Sequence, residues 1–237
     1  MPKALISRRH LCYSMVMEIK AVIFDMDGVI TDSEYYAKKA MQERCRQMSL
    51  EFDEDFYNRL IGINYNYAYH LFQQKYGNDD VLIHSLFDGY LAILVNWLKE
   101  GRVPFKKGAL ELIDYLNEHH VPICLATSSN LEKIRATFNS HNREVPFQYI
   151  VTGEDVIRSK PDPEIFLKAA MKMGVDIRKC MVIEDSLQGM QAAIAAGAIA
   201  TMVPDMKQPT EEIRAHAAFI KKDLFEVQEI LKAYVNP

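Results

Sequence analysis

Two aspartates, Asp25 and Asp27, follow directly on four consecutive apolar residues, Ala21 to Phe24. Such a run reads as a buried strand, and carboxylates at its carboxyl end lie where an open α/β sheet places its chemistry. In extended backbone, residues two apart point the same way, so both acids face one pocket. Two close carboxylates repel each other unless a cation or a shared proton compensates them. The pair therefore implies a bound metal or a division of labour between an acid and a base.

Three further places carry chemistry-bearing residues at strand ends. The run Val121 to Ala126 terminates in Thr127-Ser128-Ser129-Asn130. The start of the following helix would favour an anion such as phosphate, while capping by Ser129 or Asn130 is the plainer use of those side chains. Ser159-Lys160-Pro161-Asp162-Pro163 fixes one lysine between prolines, which suits neutralising an anion. Cys180 to Ile183 ends in Glu184-Asp185-Ser186, where Asp185 or Ser186 could also cap a helix. Together with Asp25 and Asp27 these acids form a carboxylate cluster of the kind a hard cation such as Mg²⁺ takes.

The elements that position these residues follow from periodicity. Helical patterns run over 33–48, with Ser33 as N-cap behind Asp32, then over about 53–60, 66–76 and 79–99. In the last of these, Leu82, Leu86, Tyr90, Ile93, Leu94 and Trp97 are spaced as one apolar face. No strand is expected between Tyr35 and Gly101. From Arg102-Val103-Pro104 onward helix and strand alternate: helix 108–119, strand 121–127, helix 130–140, strand 149–152, helix 163–173. Strand 180–183, helix 186–196, strand 199–203 and helix 223–234 complete the series. Alternation of this kind implies parallel strands with right-handed crossovers. The expected fold is a doubly wound α/β sheet, with a core over 17–32 and 104–237, an inserted helical unit over 33–103 and an extension over 1–16.

Composition sets the outer bounds. The 237 residues are 49% hydrophobic and 25% charged, enough for a large core without disulfides. A net charge of −4 with no basic cluster argues against nucleic acid and leaves small phosphorylated molecules open. Cys12, Cys45, Cys124 and Cys180 are scattered and read as reduced thiols, which fits a reducing, cytoplasmic compartment. No apolar run approaches the ~20 residues of a membrane span, so no membrane partner is expected. A monomer is the default reading.

Asp-x-Asp-Gly-Val, a hydroxyl-ended strand, Lys-Pro and Glu-Asp-Ser-x-x-Gly occur here in one order, each at a strand end or adjoining loop. In this ordered set, from Ile19 to about Val235, the chain resembles the haloacid dehalogenase superfamily, in particular its members with a helical cap, phosphatases and β-phosphoglucomutases among them. The resemblance implies Asp25 as the nucleophile that becomes an aspartyl phosphate, and Asp27 as the acid, then base, for the leaving oxygen and water. It implies that Asp25 is ionised while Asp27 carries a proton, with a metal beside Asp25 sustaining the difference. Thr127 and Ser128 would bind phosphate, and Lys160 would offset charge. Mg²⁺ would lie among Asp25, the backbone carbonyl of Asp27, and Asp185, with Glu184 a direct or water-mediated partner.

The resemblance also separates chemistries. Relatives that cleave carbon–halogen bonds lack an aspartate at the place of Asp27, and phosphonate-cleaving relatives need a cap lysine that has no match near Gly62. The insert would be a mobile cap that excludes water on closing, with hinges at Gly28 to Asp32 and Arg102 to Pro104. Its loop Leu60 to Tyr67 would select the substrate through Asn64 and Tyr65, whereas Tyr67, Tyr69 and His70 are expected in the core. The mutase cap histidine falls on Ala37 and the mutase cap arginine on Tyr65. Loss of both favours hydrolysis of a small phosphomonoester over mutase activity, with a non-catalytic phosphometabolite binder as the rival from another class.

Overall fold

The strand that carries the acids is β1, Ala21–Phe24, and all four of its residues are buried. The computed structural model describes residues 18–61 and 65–234, with Tyr65 and Asn66 described in their backbone alone. The expected extension over 1–16 and the side chains of Asn64 and Tyr65 therefore lie outside the described residues.

After β1 the chain forms four helices in succession: α1, Ser33–Gln47; α2, Glu54–Leu60; α3, Tyr65–Tyr76; and α4, Asp80–Lys99. The alternating part follows as α5, Ala109–Glu118; β2, Ile123–Ala126; α6, Leu131–Asn139; β3, Tyr149–Val151; and α7, Glu164–Met173. It ends with β4, Cys180–Glu184; α8, Leu187–Ala196; β5, Ile199–Met202; α9, Glu211–His216; β6, Phe219–Ile220; and α10, Leu224–Tyr234. The six strands form one sheet in the order β3-β2-β1-β4-β5-β6, every pairing parallel. The winding direction reverses between β1 and β4, which places a crevice at their carboxyl ends.

Strand residues alternate between two apolar layers, as the two-residue pleat requires. Val22, Phe24, Leu125 and Ile183 pack against Leu112, Ile113 and Leu116 of α5 and Val227 and Leu231 of α10. Ala21, Ile23, Cys124 and Val182 pack against Ile165, Phe166 and Ala169 of α7 and Met190 and Ala193 of α8. Cys45, Cys124 and Cys180 are free and buried. The helical insert has a core of its own, built on Met41, Phe56, Phe72, Ile83, Leu86 and Phe87.

Several expectations need correction. The short α9 and β6 were not anticipated; six and two residues are too few to display a period. The buried face of α4 is Ile83, Leu86, Phe87, Leu94 and Leu98, rotated from the face that includes Leu82 and Trp97. Among the described residues α4 is also the one helix long and apolar enough to cross a membrane by length and composition, contrary to the sequence reading. Tyr67 and His70 are exposed, because Ala68, Leu71 and Phe72 take the inward face of α3.

The two segments that join insert to core are paired with each other. Thr31 bridges to Phe105 in antiparallel fashion, Asp32 N–H donates to the Pro104 carbonyl at 3.0 Å, and Lys106 N–H donates to that of Ile30 at 2.8 Å. Lys106 Nζ then ties Asp32, at 3.3 Å, to Asp205 beyond β5, at 2.6 Å.

Candidate active site

Asp25 leaves β1 in the crevice, and Lys160, in the loop before α7, meets it there. The ammonium donates to Asp25 Oδ1 at 2.5 Å and to Glu184 Oε1 at 2.6 Å, all three groups being nearly buried. The other oxygen of Glu184 accepts from the N–H groups of Asp185, at 3.0 Å, and Ser186, at 2.9 Å, and from Ser186 Oγ at 2.9 Å. Glu184, expected as a possible metal partner, thus gives both oxygens to protein donors and fixes Lys160 and the turn into α8. Ser186 caps α8 by accepting from Gly189 N–H at 3.0 Å.

The Glu184 carboxylate lies so close over Gly189 that a β-carbon there would overlap it. Gly189→Ala is expected to displace Glu184, with a loss of about 1–3 kcal/mol in stability. Lys160 loses its alignment as well. Urea unfolding together with turnover measures both effects.

Asp27 sits in a cradle of three donors. Ser33 Oγ reaches Oδ1 at 2.5 Å, Lys133 Nζ reaches Oδ1 at 2.7 Å, and Ser129 Oγ reaches Oδ2 at 2.6 Å. Ser33 was expected to cap α1. The cap position is Asp32, which makes no side-chain cap bond, and the Ser33 hydroxyl serves Asp27 instead. Asn130 does cap α6, accepting from Lys133 N–H at 2.9 Å. Thr127 is buried, with its Oγ1 accepting from Ser129 N–H at 3.0 Å, while Ser128 is exposed at the crevice.

The protein's own groups act differently on the two acids. Burial pushes the Asp25 carboxyl up to about 7 against the pull of Lys160, with Glu184 and Asp27 adding to the rise. Burial also acts on Asp27, but Lys133 and the two hydroxyls outweigh it and hold that carboxyl below the usual carboxylate range. Lys133, which no motif contains, is the main cause of that difference.

Asp185 faces the same crevice and abuts Gly28, where a β-carbon would overlap its carboxylate. Gly28 has φ +80°, a left-handed conformation that glycine adopts without strain. Among the described residues no group donates to the Asp185 carboxylate, and burial, then Glu184 and Asp25, raises it well above the ordinary range. No three acidic, His or Cys side chains converge on one point among the described residues, since Lys160 stands between Asp25 and Glu184. The undonated Asp185, beside Asp25, is nevertheless the uncompensated negative charge that a divalent cation relieves. These residues fit such an ion.

Sequence reasoning missed Ser33, Glu34, Ser129 and Lys133 as members of this site. Burial raises the Glu34 carboxyl to about 7, with Asp27 adding to the rise. Its folded value lies above that of an exposed glutamate, so its contribution to stability is full below about pH 4 and is lost as pH rises through about 7. Glu34→Gln is therefore expected to flatten the fall in Tm between about pH 4 and 7, which thermal unfolding across that range measures.

Beside the acids opens a cavity of about 620 Å³, lined by Val95, Leu98 and Lys99 of α4, Ser128 to Asn130, Lys133 of α6, and Lys160. It lies between the insert and the carboxyl edge of the sheet, and it has room for a small organic molecule.

An acid pair at the reversal point of a parallel sheet, bridged by a buried lysine and covered by a helical insert, defines a capped α/β hydrolase site. The chain belongs to the haloacid dehalogenase-like hydrolase family, whose profile matches residues 22–203. It is 33% identical over 194 residues to β-phosphoglucomutase of Bacillus subtilis, covering 78% of this chain and 83% of that one. It is 28% identical over 190 residues to hexitol phosphatase B of Escherichia coli, covering 79% and 84%. Among solved structures, a hydrolase from Pseudomonas syringae superimposes with a TM-score of 0.72 at 26% identity, covering 90% of this chain and 98% of that one.

Proposed function

We propose that this protein is a Mg²⁺-dependent phosphatase that hydrolyses a small phosphomonoester through an aspartyl phosphate on Asp25. The observation that carries this reading is the meeting of Asp25, Asp27, Thr127 and Lys160 at one crevice that opens into the cavity. A carboxylate of Asp25 attacks phosphorus, and the ester oxygen departs with a proton delivered by Asp27. Asp27 then takes a proton from water, whose oxygen attacks the aspartyl phosphate and releases inorganic phosphate and free Asp25. Lys160 neutralises the charge gathered on Asp25 and the phosphoryl oxygens. Asp25, Asp185 and the Asp27 carbonyl would hold Mg²⁺, which supplies charge neutralisation at the phosphoryl group. Asp27 Oδ2, held by Ser129 alone, would carry the proton and face the leaving oxygen, while Oδ1 stays with Lys133 and Ser33.

The similarity to β-phosphoglucomutase keeps a mutase in view. Against it, Ala37 stands where that enzyme class places its cap histidine, and here it packs in an apolar cluster with Leu94, Leu98 and Val103. A turnover panel of sugar and organic phosphates tests the proposal. Phosphate release is expected with Mg²⁺, abolished by EDTA and restored by added Mg²⁺. With β-glucose 1-phosphate and a bisphosphate primer, no glucose 6-phosphate is expected. Tight binding of one panel member without turnover of any would instead mark a binding protein.

A further inference from the structure

Among the described residues Lys133 is the one charged partner of Asp27, and it lies outside every motif. It stands three residues after the cap of α6, and helical side chains lean toward the amino end, so its ammonium reaches back over the strand ends. Asp27 Oδ1 takes one of its N–H groups at 2.7 Å, and no second acceptor holds it among the described residues. An ammonium has three donors. The remaining two are available to the cavity that Lys133 lines.

The reach of those donors is set by the chemistry. In the proposed reaction Asp27 hydrogen-bonds the ester oxygen, and Lys133 lies one hydrogen bond beyond Asp27. Two such bonds in series across the carboxyl group place the ammonium within about 8 Å of the ester oxygen. At about 1.5 Å per covalent bond, a group roughly two to four bonds along the leaving alcohol meets it. The charged lining of the cavity is mixed, Lys99, Lys133 and Lys160 with Glu132 and Glu154, and Glu34 also acts on Lys133 through its charge.

We infer that Lys133 is a specificity-determining residue that binds a second anionic group of the substrate, a carboxylate or a phosphate, carried close to the ester oxygen. The inference rests on the phosphatase reading above and narrows its substrate class to short phosphomonoesters with two anionic ends. The rival role for Lys133 is to position Asp27 alone.

Three substrates of similar size separate the two roles: 2-phosphoglycolate, propane-1,3-diol bisphosphate and n-propyl phosphate. Lys133→Met lowers kcat on all three, because Asp27 loses a partner. Its KM is expected to rise tenfold or more on a substrate with a second anion, and less than threefold on propyl phosphate, the size expected for a lost charged hydrogen bond. Lys133→Arg restores the low KM. A rise with phosphoglycolate alone assigns a carboxylate as the second anion; a rise with the bisphosphate alone assigns a phosphate. Equal loss of kcat on all three substrates with KM unmoved overturns the inference in favour of simple positioning.

Calorimetric binding of the same compounds to Asp25→Asn, with and without Lys133→Met, keeps the two readings apart. If wild type turns over nothing, the phosphatase reading falls. The inference then stands on a tenfold or greater loss of affinity confined to the two-anion ligands, and equal affinities overturn it.

Discussion

Asp25→Asn is expected to lower phosphate release on the order of 10⁴-fold or more, with folding preserved. The asparagine amide keeps the shape of the side chain but has no anionic oxygen to attack phosphorus. A second readout follows from the surroundings. Asp25, Glu184 and Asp185 share one buried crevice whose nearest cation is Lys160, and burial holds the Asp25 carboxyl at about 7. Removing one acid relieves that repulsion, so the metal-free variant is expected to melt above metal-free wild type at pH 8, the usual trade of stability for a strained site. Wild-type turnover in this variant would remove Asp25 from its role. An unchanged Tm would instead show that Lys160 compensates all three acids.

Lys160→Met carries the second large effect. Methionine fills the space of the lysine stem but leaves Asp25 and Glu184 buried without their shared cation. Breaking a buried pair in this way costs about 3–5 kcal/mol. The sign with pH is fixed by the acids: a carboxyl whose folded pKa is raised contributes stability that is present at low pH and lost as pH climbs through that raised value. The deficit against wild type is therefore expected to be larger at pH 8 than at pH 6 in urea unfolding. Turnover should fall by roughly 10²–10³-fold, the effect typical of removing one charge-stabilising donor. A loss of activity with no loss of stability at either pH would mean that Lys160 acts only on bound substrate.

The strands were legible because buried parallel strands are short apolar runs, and each acid of interest directly follows one or ends it, as in Phe24-Asp25 and Ile183-Glu184. Lys160 was legible because prolines isolate it. Lys133 was not, since a lysine in the first turn of a helix looks like any solvated residue; only the angle of α6 to β1 brings it to Asp27. Ser33 shows the same limit in another form. A serine at a helix start reads as a cap, and the choice between the α1 backbone and Asp27 is made by tertiary packing. Glu34 is half-buried near Asp27 and Asp205, a placement that no local pattern encodes.

The pairing of Thr31 with Phe105, and of Asp32 with Pro104, has a consequence for how this chain is assembled. Because the insert leaves and re-enters the sheet at adjacent points, the core experiences it as a closed hairpin whose tip happens to be large. Closure entropy grows only slowly with the length of such a tip. The insert also carries its own apolar centre, built on Met41, Phe56, Phe72 and Leu86. Core and insert meet again where Ser33 donates to Asp27 and where Lys207 donates to the Asn58 carbonyl. The cavity residues that the insert supplies, Val95, Leu98 and Lys99, can be redrawn while Asp25 and Lys160 stay in place in the core.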